Sequence, residues 1–261
     1  MKAYLDDKQL KKDFVKEVKW HQDQDMIVQG FYGEGYGKNW RGCAVGCSIH
    51  SLNRIKGKDF DTSNHKVYES ELGLPEWLAQ LEDTIFEGLP RELATAWPLR
   101  FAQAINVGAE LETVKWKFSA YILGQNIERV LTLGISDELK EQVVSSIRGV
   151  LALHEHALKT GEWDDDKAES ADAAADAAAD AATAAARSAD TGAVWSARSA
   201  AAWSAAESAW SAANAARPVE SAAAWSAADA ARSADAAAWS AADAAYEDYA
   251  DKLVELLKAQ K

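Results

Sequence analysis

Cys43, Cys47 and His50 stand at i, i+4 and i+7, so a helix through them carries two thiols and an imidazole on one side. With His65, His154 or His156 as a fourth donor, that set reads as a Cys₂His₂-like zinc site. Zinc modules more often hold their cysteine pairs in tight turns. The competing reading makes both cysteines small buried apolar residues, with Gly42 and Gly46 allowing close packing. A Cys43 nucleophile would need an orienting acid, and the sequence does not identify one.

Just upstream, residues 29–42 hold five glycines, four aromatic residues and the cations Lys38 and Arg41. Gly33-x-Gly35-x-Gly37-Lys38 invites a phosphate-loop reading but departs from it. Tyr32 fills the place of the first glycine, and Asn39 rather than Ser or Thr follows the lysine. What remains is a glycine loop leading into a helix start, with the means to stack a ring and neutralise a charge. On this reading Tyr36 and Trp40 stack on a small anionic or nucleotide-like ligand while Lys38 and Arg41 pair with its charge. In the plainer alternative the loop's aromatics fold inward. The acidic run Leu81–Glu87 and the triplet His154-Glu155-His156 lack the Glu-x-x-His signature of di-iron bundles and read as solvated helix faces.

These groups sit on helices. Helical periodicity marks residues 6–25 with Asp6 or Asp7 as cap, a turn into helix from Cys43, and a helix from Pro75 to Gly88. A segment from Glu92 to Ile105 is broken or kinked at Pro98. Two long helices follow, Leu111 to about Leu133 and a Ser136-capped one to about Lys159. No stretch shows sustained strand alternation, so the expected class is all-α. The expected organisation is a helical domain over 1–163, with the loop at 29–42, and an Ala/Trp-rich helical array over 164–261.

That array is compositionally unusual. From residue 164 onward 43 of 98 residues are alanine, and Val194 and Val219 are the only branched aliphatics before Leu253. Alanine has the highest helix propensity, so helices are expected at 164–189, 193–216 and 218–258, folded back as a bundle or onto the first domain. Aromatic steps of 8, 7, 15, 14 and 7 from Trp195 to Tyr246 total 51 residues. Over fourteen turns that is about 3.64 per turn, near the straight-helix value, so the indoles keep one face. Arg217 and Arg232 fall in the same phase, which fits a Trp/Arg surface or arginine stems laid over indoles against a neighbouring helix.

Charge narrows the function classes. The net charge of −13 argues against direct nucleic-acid binding. Asp172, Asp176 and Asp180 at four-residue spacing offer an acidic face that could bind a host protein, imitating DNA. No run approaches the ~18 apolar residues of a membrane span. The start lacks the apolar stretch of a secretory signal, and the two cysteines imply a thiol-reduced cytoplasmic protein.

Several phrases together carry a resemblance: Gly42-Cys43-Ala44-Val45-Gly46-Cys47, Leu74-Pro75-Glu76-Trp77-Leu78, and Leu81-Glu82-Asp83-x-Ile85-Phe86-Glu87-Gly88-Leu89-Pro90. The tryptophan array and the closing Tyr249–Leu257 segment belong with them. The chain resembles a broad set of bacteriophage, prophage and bacterial proteins with an alanine/tryptophan-rich C-terminal array, over nearly its whole length. That resemblance implies a mobile-element setting and brings no catalytic residue. The reading reached here is a non-enzymatic binding protein, a candidate counter-defence factor, with the acidic interaction protein as the alternative.

Overall fold

The structure is a computed structural model, and its described residues are 1–189, 197–217, 222–235 and 239–261. It is all-α, with twelve helices and no strand among the described residues. Two compact units divide the chain: Met1–Lys115 with Ala250–Lys261, and Trp116–Tyr249.

The first unit contains α1 (Lys8–Asp23), α2 (Ala44–Lys56), α3 (Val67–Leu72), α4 (Glu76–Gly88), α5 (Arg91–Ala94) and α6 (Trp97–Ala104). Local chemistry sets their ends. The Asp7 carboxylate accepts from the backbone N–H groups of Gln9 and Leu10 and caps α1. Gly57 closes α2 and Gly73 closes α3, both in the left-handed conformation. The segment expected from Glu92 to Ile105 is two helices, with Pro98 in the first turn of α6, where its missing N–H costs nothing. Phe14 and Val18 of α1, Ile49 and Leu52 of α2, Trp77, Leu81 and Phe86 of α4, and Trp97 and Phe101 of α6 make the core.

Tyr4, Leu5 and Asp6 all have positive φ, a conformation costing about 1–2 kcal/mol per non-glycine residue. Buried anchors hold it. The Tyr4 hydroxyl donates to the Ala102 carbonyl at 2.6 Å, and Ala3 exchanges backbone bonds with Gly108 and Ala109. Glu82 is fully buried on α4, and burial drives its carboxyl well above the ordinary carboxylate range, although the Tyr68 hydroxyl donates to its Oε2.

The second unit takes most of α7 (Glu112–Thr132), then α8 (Asp137–Thr160), α9 (Asp165–Ala189), α10 (Ala197–Ala216), α11 (Ala222–Asp235) and the start of α12 (Trp239–Lys258). The Ser136 hydroxyl caps α8. The boundary expected at residue 163 is displaced to Lys115, for a packing reason. Methyl groups alone bury too little apolar surface, and α7 and α8 supply the bulk. Leu123, Ile127 and Val130, with Val143, Val144, Ile147 and Val150, share one core with Ala178, Ala179, Ala182, Ala205, Ala209 and Ala212. Small side chains let α9 and α10 approach closely, and Trp203 and Trp210 lie partly buried against this core. Trp225 is 49% exposed; Trp195 and the side chain of Trp239 lie outside the described residues. The span 218–258 expected as one helix is described as α11 and α12, with 236–238 outside the described residues.

The arginines in the tryptophan phase pair with carboxylates. Arg217 reaches Asp172 at 3.1 Å and Asp176 at 3.2 Å, and Arg232 pairs with Glu207 and Asp229. Two of the three carboxylates of the expected acidic face are therefore engaged within the unit, and Asp180 is exposed.

Gly124 of α7 and Gly149 of α8 meet nothing within 4 Å where a Cβ would sit. Gly124→Ala and Gly149→Ala are each expected to stabilise the protein by about 0.5–1 kcal/mol, read as a raised urea midpoint at unchanged slope. A loss of stability in both would contradict the placement of α7 and α8.

Candidate functional site

The loop at 29–42 is a tied structure. Val28 and Gly42 are joined by N–H to carbonyl bonding at its base, and Glu34 and Arg41 exchange two backbone bonds of 2.9 Å. Gly35 has φ +89°, and a Cβ there would meet the Asn39 carbonyl oxygen at 2.5 Å, so the turn needs glycine. The Gln29 side-chain amide donates to the carbonyls of Phe86 (2.8 Å) and Leu89 (2.9 Å), satisfying acceptors at the C-terminal end of α4. The backbone N–H of Gly30 donates to the Glu87 carboxylate at 2.9 Å and 3.1 Å.

The other wall is the start of α2. Cys43 is its N-cap: its N–H donates to the Phe31 carbonyl, and its Sγ accepts from the Gly46 N–H at 3.3 Å. Gly46 makes this fit possible, because a Cβ on it would lie 1.6 Å from the Tyr32 carbonyl oxygen.

Cys43, Asp83 and Glu87 converge where loop, α2 and α4 meet. One ligand atom from each lies within 4.8 Å of the other two, the one such group of His, Cys, Asp and Glu side chains among the described residues. A cavity of about 330 Å³ lies against them, lined also by Gly30, Phe31 and Tyr32. Asp83 Oδ1 is buried without a hydrogen bond, and His65 Nε2 stands 3.6 Å from Asp83 Oδ2. Burial, reinforced by the negative charge of Asp83, drives the Cys43 thiol far up, and burial likewise raises the Glu87 carboxyl. Burial and Asp83 push the Tyr32 phenol up to about 12.

The three ligands expected from spacing point three ways. Cys43 stays in the group. Cys47 is fully buried, and its thiol faces the carbonyls of Gly42 and Met26 at 3.4 Å and 3.7 Å, so the buried apolar reading fits it. His50 stacks on Trp40 with ring centroids 4.1 Å apart and approaches His21 at 2.7 Å. Cys43 is a cap residue with extended rather than helical backbone, so it does not share one helix face with Cys47 and His50. His154 belongs to the second unit, where its Nε2 meets the Ala215 carbonyl. The run Leu81–Glu87, read from sequence as a solvated face, supplies both carboxylates. Their i, i+4 spacing was the available signal.

The expected ligand-stacking set also divides. Tyr36 is 94% exposed and Trp40 only 7%, and both line a second cavity with His50, Asp59 and Asp61. Arg41 donates to the Trp40 carbonyl, and the Lys38 side chain lies outside the described residues. Both cavities beside the loop carry carboxylates, Asp83 and Glu87 in the first and Asp59 and Asp61 in the second.

Comparison with protein-family models, curated proteins and solved structures finds no match to this chain. No helix of the described residues is long and apolar enough to cross a membrane.

Proposed function

We propose that this chain is a non-enzymatic binding protein, of the mobile-element type its motifs resemble, that holds a divalent metal ion between the loop and α4. The observation carrying this reading is the convergence of Cys43 Sγ with the carboxylates of Asp83 and Glu87. The Tyr32 hydroxyl and the Cys43 thiol reach the Asp83 carboxylate, but its buried Oδ1 makes no hydrogen bond, a costly state that a cation at this point relieves. The same cation offsets the mutual repulsion that, together with burial, raises the Cys43 thiol and the Glu87 carboxyl. A thiolate beside two carboxylates suits zinc, whereas magnesium and calcium favour all-oxygen sets. Water or His65 would complete four ligands. The interaction reading through Asp172, Asp176 and Asp180 draws less support, because Arg217 occupies the first two.

Cobalt titration of the full chain tests this. A thiolate-to-cobalt charge-transfer band is expected, absent in Cys43→Ser and weakened at least tenfold in Asp83→Asn. The thiol is protonated at neutral pH because its pKa is raised, so each bound ion displaces a proton. Apparent affinity should therefore rise about tenfold per pH unit. A band that survives in Cys43→Ser, or no binding at millimolar cobalt, overturns the proposal.

A further inference from the structure

His21 and His50 form a chain of bonds that fixes where each proton sits. His21 is fully buried, with Nδ1 at 2.9 Å from the Glu17 carbonyl and Nε2 at 2.7 Å from His50 Nδ1. A carbonyl only accepts, so His21 Nδ1 carries its proton. Ser51 agrees: its hydroxyl donates to the Cys47 carbonyl at 2.8 Å, leaving a lone pair toward His21 Nδ1 at 3.2 Å. The neutral His21 ring then has a bare Nε2, and that nitrogen accepts the Nδ1–H of His50. The neutral His50 ring is left with its lone pair on Nε2. Trp40 covers one face of that ring, with an interplanar angle of 7°.

His50 lines an open cavity of about 390 Å³. Asp59 and Asp61 bring two carboxylates and Thr62 a hydroxyl; Asp61 Oδ1 already accepts from the Ser63 N–H and hydroxyl, and the Asn53 amide is committed to the Phe60 backbone at 2.6 Å and 3.0 Å. Phe60 and the exposed Tyr36 bring ring surface. No described Lys or Arg lines it. Aromatic faces, two carboxylates and a fixed imidazole lone pair call for a ligand that is positively charged and rich in N–H donors.

We infer that this cavity binds a small organic ammonium ion, with His50 Nε2 accepting one of its N–H bonds and His21 acting as the positioning residue that holds that lone pair in place. The site stands apart from the proposed metal: none of Cys43, Asp83 and Glu87 lines it.

Calorimetry of the full chain with tyramine and agmatine, against neutral N-acetyltyramine and anionic AMP, tests the ligand class. At least one amine is expected to bind at one site, and the neutral and anionic probes at least tenfold more weakly. His50→Phe keeps the ring on Trp40 but removes the lone pair, and should lose tenfold or more; His50→Gln, which keeps an acceptor, should recover part. Long-range ¹H–¹⁵N spectra of the unsubstituted protein test the tautomer without any variant and should show His50 protonated at Nδ1 only. His50 protonated at Nε2, equal affinity for tyramine and its acetylated form, or binding by neither amine at millimolar concentration overturns the inference.

Discussion

Gly46→Ala is expected to destabilise the protein by on the order of 3 kcal/mol, where a helix glycine changed to alanine ordinarily gains about 1 kcal/mol. The two effects have opposite sign, so the experiment is decisive. The added methyl would sit 1.6 Å from the Tyr32 carbonyl oxygen and 2.6 Å from the Tyr32 carbonyl carbon. Those are backbone atoms of the loop, so no side-chain rotation relieves the clash, and Phe31 and Tyr32 must leave α2. Urea unfolding reads the loss. The cobalt band should weaken with it, because the Cys43 N–H bond to Phe31 holds the cap in place. A neutral or stabilising result would mean that the loop does not rest on α2.

Acid is expected to unfold the protein earlier than its surface carboxylates alone would require, through His21. Burial holds its imidazole down at about 4, from an ordinary 6.5, with the neighbouring His50 acting in the same direction. The fold therefore prefers the neutral ring. The stability this confers is fully present above pH 6.5 and is lost as pH falls toward 4. At 1.36 kcal/mol per pKa unit the whole effect is about 3 kcal/mol. His21→Phe keeps edge contacts to Trp20, Trp40 and His50 and removes the titrating group. The unfolding free energy of the protein minus that of this variant should fall between pH 7 and pH 4.5, because only the parent loses stability to His21 protonation. Parallel pH profiles would show that His21 is not held neutral.

The all-α class was readable because periodicity, capping residues and breakers agree along most of the chain. Asp7, Ser136 and Pro98 each mark a helix end through purely local chemistry. Which helices share a core was not readable. Alanine helices announce their own regularity but not the partner that must bring volume to them, and α7 and α8 supply it from outside the compositional boundary.

One of the three residues of the proposed metal site was legible. Cys43 was picked out by its neighbours in sequence, and two of them, Cys47 and His50, proved to face elsewhere. The partners it does meet lie about 40 residues downstream, brought near by the packing of α2 beside α4. The pairing of His21 with His50 is likewise a tertiary fact, 29 residues apart in the chain. Two cationic residues in the loop suggested an anion; the carboxylates of Asp59, Asp61, Asp83 and Glu87 that line the cavities there all come from other segments.

X-ray absorption at the zinc edge of the zinc-loaded full chain examines the proposed centre most directly. One sulfur scatterer at about 2.3 Å with the remaining shell of oxygen or nitrogen near 2.0–2.2 Å is the expected result, and it should lose the sulfur in Cys43→Ser. A shell of oxygen and nitrogen alone, or one with two sulfurs, would contradict a centre built from Cys43, Asp83 and Glu87.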